Sequence, residues 1–231
     1  FKKKDWDIHH WIRGGCLYGI MPCNGLTYAP PHNCACYPEA KLYGINALAP
    51  RSKTRKVARE IPVARRVERG PAWGKVVEGV SSPGDWPTYR GNATRTGYSK
   101  TIVGGEVKQA WEVKLGGKVT PPVIAAGKVF LARVNQHTVH ALDEKTGKAL
   151  WVFNAGGRVD SPPTIHRGRV LFGSADGWIY CLRAADGVLS WRFRGAPRDD
   201  RLMSFEQLES VWPVHGSVLV KDDSVYCVAG R

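Results

Sequence analysis

No apolar run in this chain approaches the roughly 20 residues that a helical membrane span requires. The Cys-x-x-Cys-His pattern of covalent haem attachment never occurs. Acidic residues are scarce beside basic ones, 20 against 34, which leaves a net charge of +14. Charge of either sign is itself modest, at 23% of 231 residues. With 43% hydrophobic and 10% aromatic residues, that composition excludes a chain disordered throughout and supports a packed core of one or two domains.

What the chain does have is a repeated phrase. Trp111, Trp151 and Trp191 stand 40 residues apart. HALDEKTGKALW leads into Trp151 and YCLRAADGVLSW into Trp191. Upstream, residues 115–132 match residues 155–173, with one extra residue in the second copy. Such a period marks an array of like units. Each unit reads as four short strands. In the first copy these are Val123-Ile124-Ala125, Val129-Phe130-Leu131-Ala132, Thr138-Val139-His140-Ala141-Leu142 and Ala149-Leu150-Trp151-Val152-Phe153. Gly147 and Gly187 close the turn before the last strand. Four strands in about 40 residues is the pattern of a propeller blade. Trp151 and Trp191 are expected to wedge between blades.

Ala141, Asp143, Thr146, Gly147 and Trp151 resemble the tryptophan-docking repeat of pyrroloquinoline quinone (PQQ)-type β-propellers. Residues 85–99, DWPTYRGNATRTGYS, resemble the segment that opens such propellers. SADGWIYCLRAADG and the later ESVWPVHGS resemble large bacterial members of planctomycete type. The resemblance implies an all-β propeller of four-stranded blades. It also implies an extracytoplasmic, periplasmic setting. The family holds quinoprotein dehydrogenases, which use PQQ with calcium, and scaffold propellers of outer-membrane assembly, which bind no cofactor. The dehydrogenases set a disulfide of adjacent cysteines over the quinone, and no Cys-Cys pair occurs here. The reading is therefore a binding or assembly scaffold. The alternative is part of a PQQ- and calcium-dependent alcohol or sugar dehydrogenase. The expected partners are the remaining blades of the same propeller and a protein or small molecule at its face.

A chain that opens on Phe1 and closes on Arg231 after a strand-like segment suggests a piece of about four blades from a ring of roughly eight. Three parts are expected: a partial blade over 1–50, a basic irregular linker over 51–84, and propeller repeats over 85–231. Residues 51–69 carry eight basic and two acidic groups and no aromatic residue. A basic patch suits nucleic acid, but nothing here stacks on a base. A solvated linker is expected, and no nucleic-acid partner.

Residues 9–37 gather Cys16, Cys23, Cys34 and Cys36 with His9, His10 and His32. Three readings stand open: a pair of disulfides, a soft metal site with His32, Cys34 and Cys36 as ligands, or inert packing. Cys181 and Cys227 lie in strand patterns and are expected in the core.

Ligands of a propeller gather where loops enter the innermost strands. Arg158 and Asp160 enter one such strand, and Glu209, Trp212 and His215 are expected at the same place in the next unit. These five are the candidate cofactor- or ligand-binding residues. The competing reading is that they pair with each other. An insertion over 197–212 lengthens that unit to 55 residues between Val170 and Val225, and a short helix is expected around 205–208.

Overall fold

A computed structural model describes residues 12–15, 18–31, 44–50, 59–79, 82–204 and 206–230. Two compact units emerge: residues 1–59 with 200–209, and residues 60–199 with 210–231.

In the first unit, β1 (Met21–Cys23), β2 (Leu26–Ala29) and β3 (Asn46–Leu48) form an antiparallel sheet in chain order. Asn24 and Gly25 make its first turn, both at positive φ.

The second unit opens with a 3-10 turn, Val63–Arg65, and β4 (Val67–Arg69). One blade follows: β5 (Val123–Ala125), β6 (Lys128–Arg133), β7 (Thr138–Asp143) and β8 (Ala149–Asn154). The next blade is β9 (Thr164–His166), β10 (Arg169–Gly173), β11 (Trp178–Arg183) and β12 (Leu189–Arg194). Both are antiparallel meanders, and each has a register shift at the same step, Ala141/Leu142 and Cys181/Leu182. The insertion that follows in sequence forms β13 (Arg201–Ser204) and β14 (Gln207–Ser210), a two-stranded sheet whose residues up to 209 group with the first unit. A third blade begins with β15 (Leu219–Lys221) and β16 (Ser224–Tyr226).

Strand alternation decides where the core lies. Successive side chains point to opposite faces. Val170 and Phe172 of β10, with Trp178, Tyr180 and Leu182 of β11, join Phe130, Val139 and Trp151 of the first blade in one buried cluster. The intervening Leu171, Ile179 and Cys181 join Val214 and Val218 in a second cluster on the opposite face. Each core is thus the seam between two blades, and neither blade buries its faces alone. Phe153, Phe172 and Tyr180 pack edge-on and stacked at centroid distances of 5.2–6.2 Å.

Trp151 fastens the first of these seams, and Trp111 plays the same part against Val129, Leu131 and Leu142 on the other face of the first blade. The Trp151 indole N–H donates to the Ala184 carbonyl at 3.1 Å, and Trp111 makes the same bond to Glu144 at 2.9 Å. The rings lie on the next turn's glycine. A Cβ on Gly187 would meet the Trp151 ring at 2.7 Å, and one on Gly147 would meet Trp111 at 2.7 Å. Both glycines also hold positive φ, so only glycine meets both demands. Asp143 Oδ1 fastens the first turn by accepting from the Thr146 N–H and hydroxyl at 2.8 and 2.7 Å. In the second turn the charges change places: Asp186 is the acceptor, and Arg183 binds it at both oxygens.

Two segments outside the repeats brace the array. Between 82 and 95 the chain crosses three blades. Trp86 bridges Ile124 through a bond in each direction, the Ile165 N–H donates to Pro87, and Arg95 donates to Ser217. The Thr88 and Thr164 hydroxyls are 2.8 Å apart, and Thr164 donates to Val218. Part of the stretch read as linker is also ordered. β4 pairs antiparallel with β12, making that sheet five-stranded in the order β4-β12-β11-β10-β9. The pairing carries Arg192–Glu68, an ion pair at 2.6 Å. A charged sequence with Pro and Gly nearby hides so short a strand, because three residues show no periodicity.

Candidate functional site

The connections that lead into the first strand of each blade repeat one backbone bond. Val134 donates to Lys118, Ala175 to Arg158 and Gly230 to Pro213. Lys118, Arg158 and Pro213 are therefore equivalent, and Asp160 matches His215. This corrects the expected alignment, which set Glu209–Pro213 against the earlier connections. The insertion shifts the count, because its extra residues form β13–β14 before the connection begins. Those strands also replace the expected helix. Residues 201–204 are exposed, buried, half-buried and buried in turn, and Glu206 sits at positive φ in the turn. Phe205 lies outside the described residues.

Of the five candidates, the structure joins Asp160 and His215. His215 Nδ1 and Asp160 Oδ2 are 2.5 Å apart, linking the approach to the second blade with the approach to the third. Both are partly covered, with side chains 26% and 35% exposed. Burial works to raise the Asp160 carboxyl. The hydrogen bond and charge of His215, the Gly216 N–H and the charge of Arg158 outweigh it, and the net shift is downward. Arg158 is buried, and its positive charge reaches Asp160. Next to this pair, the Ser161 hydroxyl is buried without a hydrogen-bond partner.

The other two candidates make different contacts. Glu209 is on β14 and 1% exposed. Trp212 is half-buried, with the Arg198 guanidinium 5.2 Å from its ring centroid and its N–H donating to Ser210 Oγ. His32, Cys34 and Cys36, with Cys16, His9 and His10, lie outside the described residues. Among the described cysteines, Cys23, Cys181 and Cys227 are free. Cys181 is a core residue, its thiol pushed up to about 12 by burial. Cys227 is not: it follows the end of β16 and is exposed.

A calcium-assisted quinone site needs a cation held by six to eight oxygens. Asp160 Oδ2 is already engaged by His215. Among the described residues no three of His, Cys, Asp and Glu gather as a cation site. The donor set present here does not fit that centre by itself. A concavity of about 500 Å³ lies at the opposite ends of the strands, over Phe130 and Ile165. Much of its rim charge is internally paired: Arg183 with Asp186, Arg167 and His166 with Asp223. No sequence signal marks this cleft, since it depends on how residues 75–79 and 85–87 lie against the hairpins.

These features meet in one fold family. A family model described as outer membrane protein assembly factor BamB matches residues 104–224, just over half the chain. The chain belongs to this family of PQQ-like propeller repeats. It is 32% identical over 139 residues to the dehydrogenase subunit of a quinone alcohol dehydrogenase from Gluconobacter oxydans, covering 52% of this chain and 18% of that protein. It is 30% identical over 98 residues to BamB of Nitrosomonas eutropha, covering 42% of this chain and 24% of that one. A quinohemoprotein alcohol dehydrogenase from Pseudomonas putida HK5 shares the fold, with a TM-score of 0.50 and 20% identity over 64% of this chain and 23% of that one. The chain spans 18–20% of the length of the quinone alcohol dehydrogenase subunits it matches. Among the described residues, no helix is long and apolar enough to cross a membrane.

Proposed function

We propose that the chain is a propeller module of a binding or assembly scaffold, which meets a protein or small-molecule partner at the face carrying Arg158, Asp160, Trp212 and His215. The observation that carries this reading is the Asp160–His215 pair. It engages the Asp160 carboxylate, a candidate base or cation ligand, in joining two blades. A rigid polar face with its charges internally matched suits recognition of a folded surface. Glu209, buried on β14, serves the insertion's own sheet in this reading. The module works outside the cytoplasm, in the periplasm, beside further blades of its own ring. Its domain plan is a partial blade over 1–50, a basic connector over 51–84 and repeats over 85–231. His32, Cys34 and Cys36 remain a proposed soft-metal set, tested by metal analysis of the Cys34→Ser and Cys36→Ser proteins.

The alternative is part of a quinoprotein oxidoreductase whose PQQ and calcium ligands come largely from other residues. The identity with the Gluconobacter oxydans subunit favours it. Turnover separates the two. Protein incubated with PQQ and calcium is assayed for oxidation of alcohols and sugars with a dye acceptor. The scaffold reading predicts no turnover above the quinone alone. Turnover abolished by Asp160→Asn would overturn it.

A further inference from the structure

The two complete blades differ at their outermost strands. In the second, β12 is covered by β4, with Val67 opposite Phe193, Glu68 opposite Arg192 and Arg69 opposite Trp191. Flanking bonds extend the ladder: Arg194 N–H to Arg66, Gly70 N–H to Ser190 and Ala72 N–H to Leu189. Gly70 passes so close that a Cβ there would meet the Leu189 carbonyl oxygen at 2.2 Å. In the first blade β8 holds the same place. Trp151 pairs with Ala141 as Trp191 pairs with Cys181, and Val152 with His140 as Arg192 pairs with Tyr180. Among the described residues nothing pairs with the outer edge of β8. Leu150 and Val152 stand 47% and 52% exposed there.

We infer that the outer edge of β8 is a seat for an extended segment of a partner protein, laid antiparallel as β4 is laid on β12. An open edge offers a row of unpaired N–H and C=O groups, and a strand added there gains main-chain bonds. The chain's own β4 shows what such an occupant looks like. The single change of side-chain chemistry at the centre of the seat sets the specificity. Where β12 presents Arg192 to Glu68, β8 presents Val152, so the occupant carries an apolar β-branched residue at that position. A glycine two residues later keeps the close approach that Gly70 makes. The inference is independent of the Asp160–His215 face and of any redox role.

The test follows backbone amide shifts of the isotope-labelled 231-residue chain on adding two synthetic peptides. One copies residues 66–73; the other, Arg-Val-Val-Arg-Gly-Pro-Ala-Trp, places valine where the first has glutamate. The valine peptide is expected to shift the amides of residues 149–154. Val152→Arg, an exposed change, is expected to weaken the valine peptide about three- to fivefold and strengthen the glutamate peptide similarly, as one cross-strand pair allows. Shifts confined to β4 and β12, no shifts at all, or affinities untouched by Val152→Arg would overturn the inference. Dimerisation of the chain alone that Val152→Arg abolishes would give the edge to a second copy and also overturn it.

Discussion

At Trp151 the ring is held in two ways: its N–H donates to Ala184 and its face lies on Gly187. An aromatic of this size buries on the order of 150–250 Å², or roughly 4–6 kcal/mol of gross apolar stabilisation. Gly187→Ala puts a methyl into the ring and a side chain at φ +74°. The expected loss is about 1–3 kcal/mol, read as a lower urea midpoint with an unchanged slope. Asp160 gives a pH signature. Its carboxyl is more acidic folded than unfolded. Its contribution is thus complete above the unfolded value of about 3.9, and is lost as the pH falls below that toward the lower folded value. Asp160→Asn is expected to lower stability at neutral pH and to flatten the acid limb of a stability–pH profile. His140 acts in the same direction at higher pH. Burial, then the charge of Arg133, lowers its imidazole. Its contribution is therefore lost as the pH drops below about 6.5, and His140→Gln removes that part of the slope.

Among the elements, β4 was the least legible in sequence and β5–β12 the most. The strands of the two blades declare themselves through alternation, because each face of each blade meets a neighbour. β4 has all three side chains exposed and gains its order from main-chain bonds to β12, which leave no mark on composition. Gly70 is the one residue that betrays it. Gly70→Ala is expected to push β4 off its edge. Hydrogen exchange should then quicken at the Arg194 amide, which donates to Arg66, while β10 and β11 stay protected. The helix expected around 205–208 failed for a related reason. Gln207 and Leu208 begin β14, and so short a segment carries too little periodicity to separate a turn of helix from a hairpin.

For the molecule as a whole, the 40-residue period established the architecture, because stacking repeats use the same wedge and glycine again, as Trp111 on Gly147 and Trp151 on Gly187 do. The candidate site was only half legible. Arg158 and Asp160 sit inside a repeat and aligned correctly. His215 found its partner in the fold, but the insertion displaced the count that set Glu209 and Trp212 beside it. The Ser161 hydroxyl and the Gly216 N–H carried no sequence signal. They matter through position alone. The scaffold account rests on Asp160 being a structural partner of His215 and not a quinone or calcium ligand. Titrating the protein with PQQ in the presence of calcium, followed by quinone absorbance, tests this most directly. The account predicts no saturable binding and a destabilised Asp160→Asn protein. Stoichiometric quinone binding that Asp160→Asn abolishes in a protein still fully folded would contradict it.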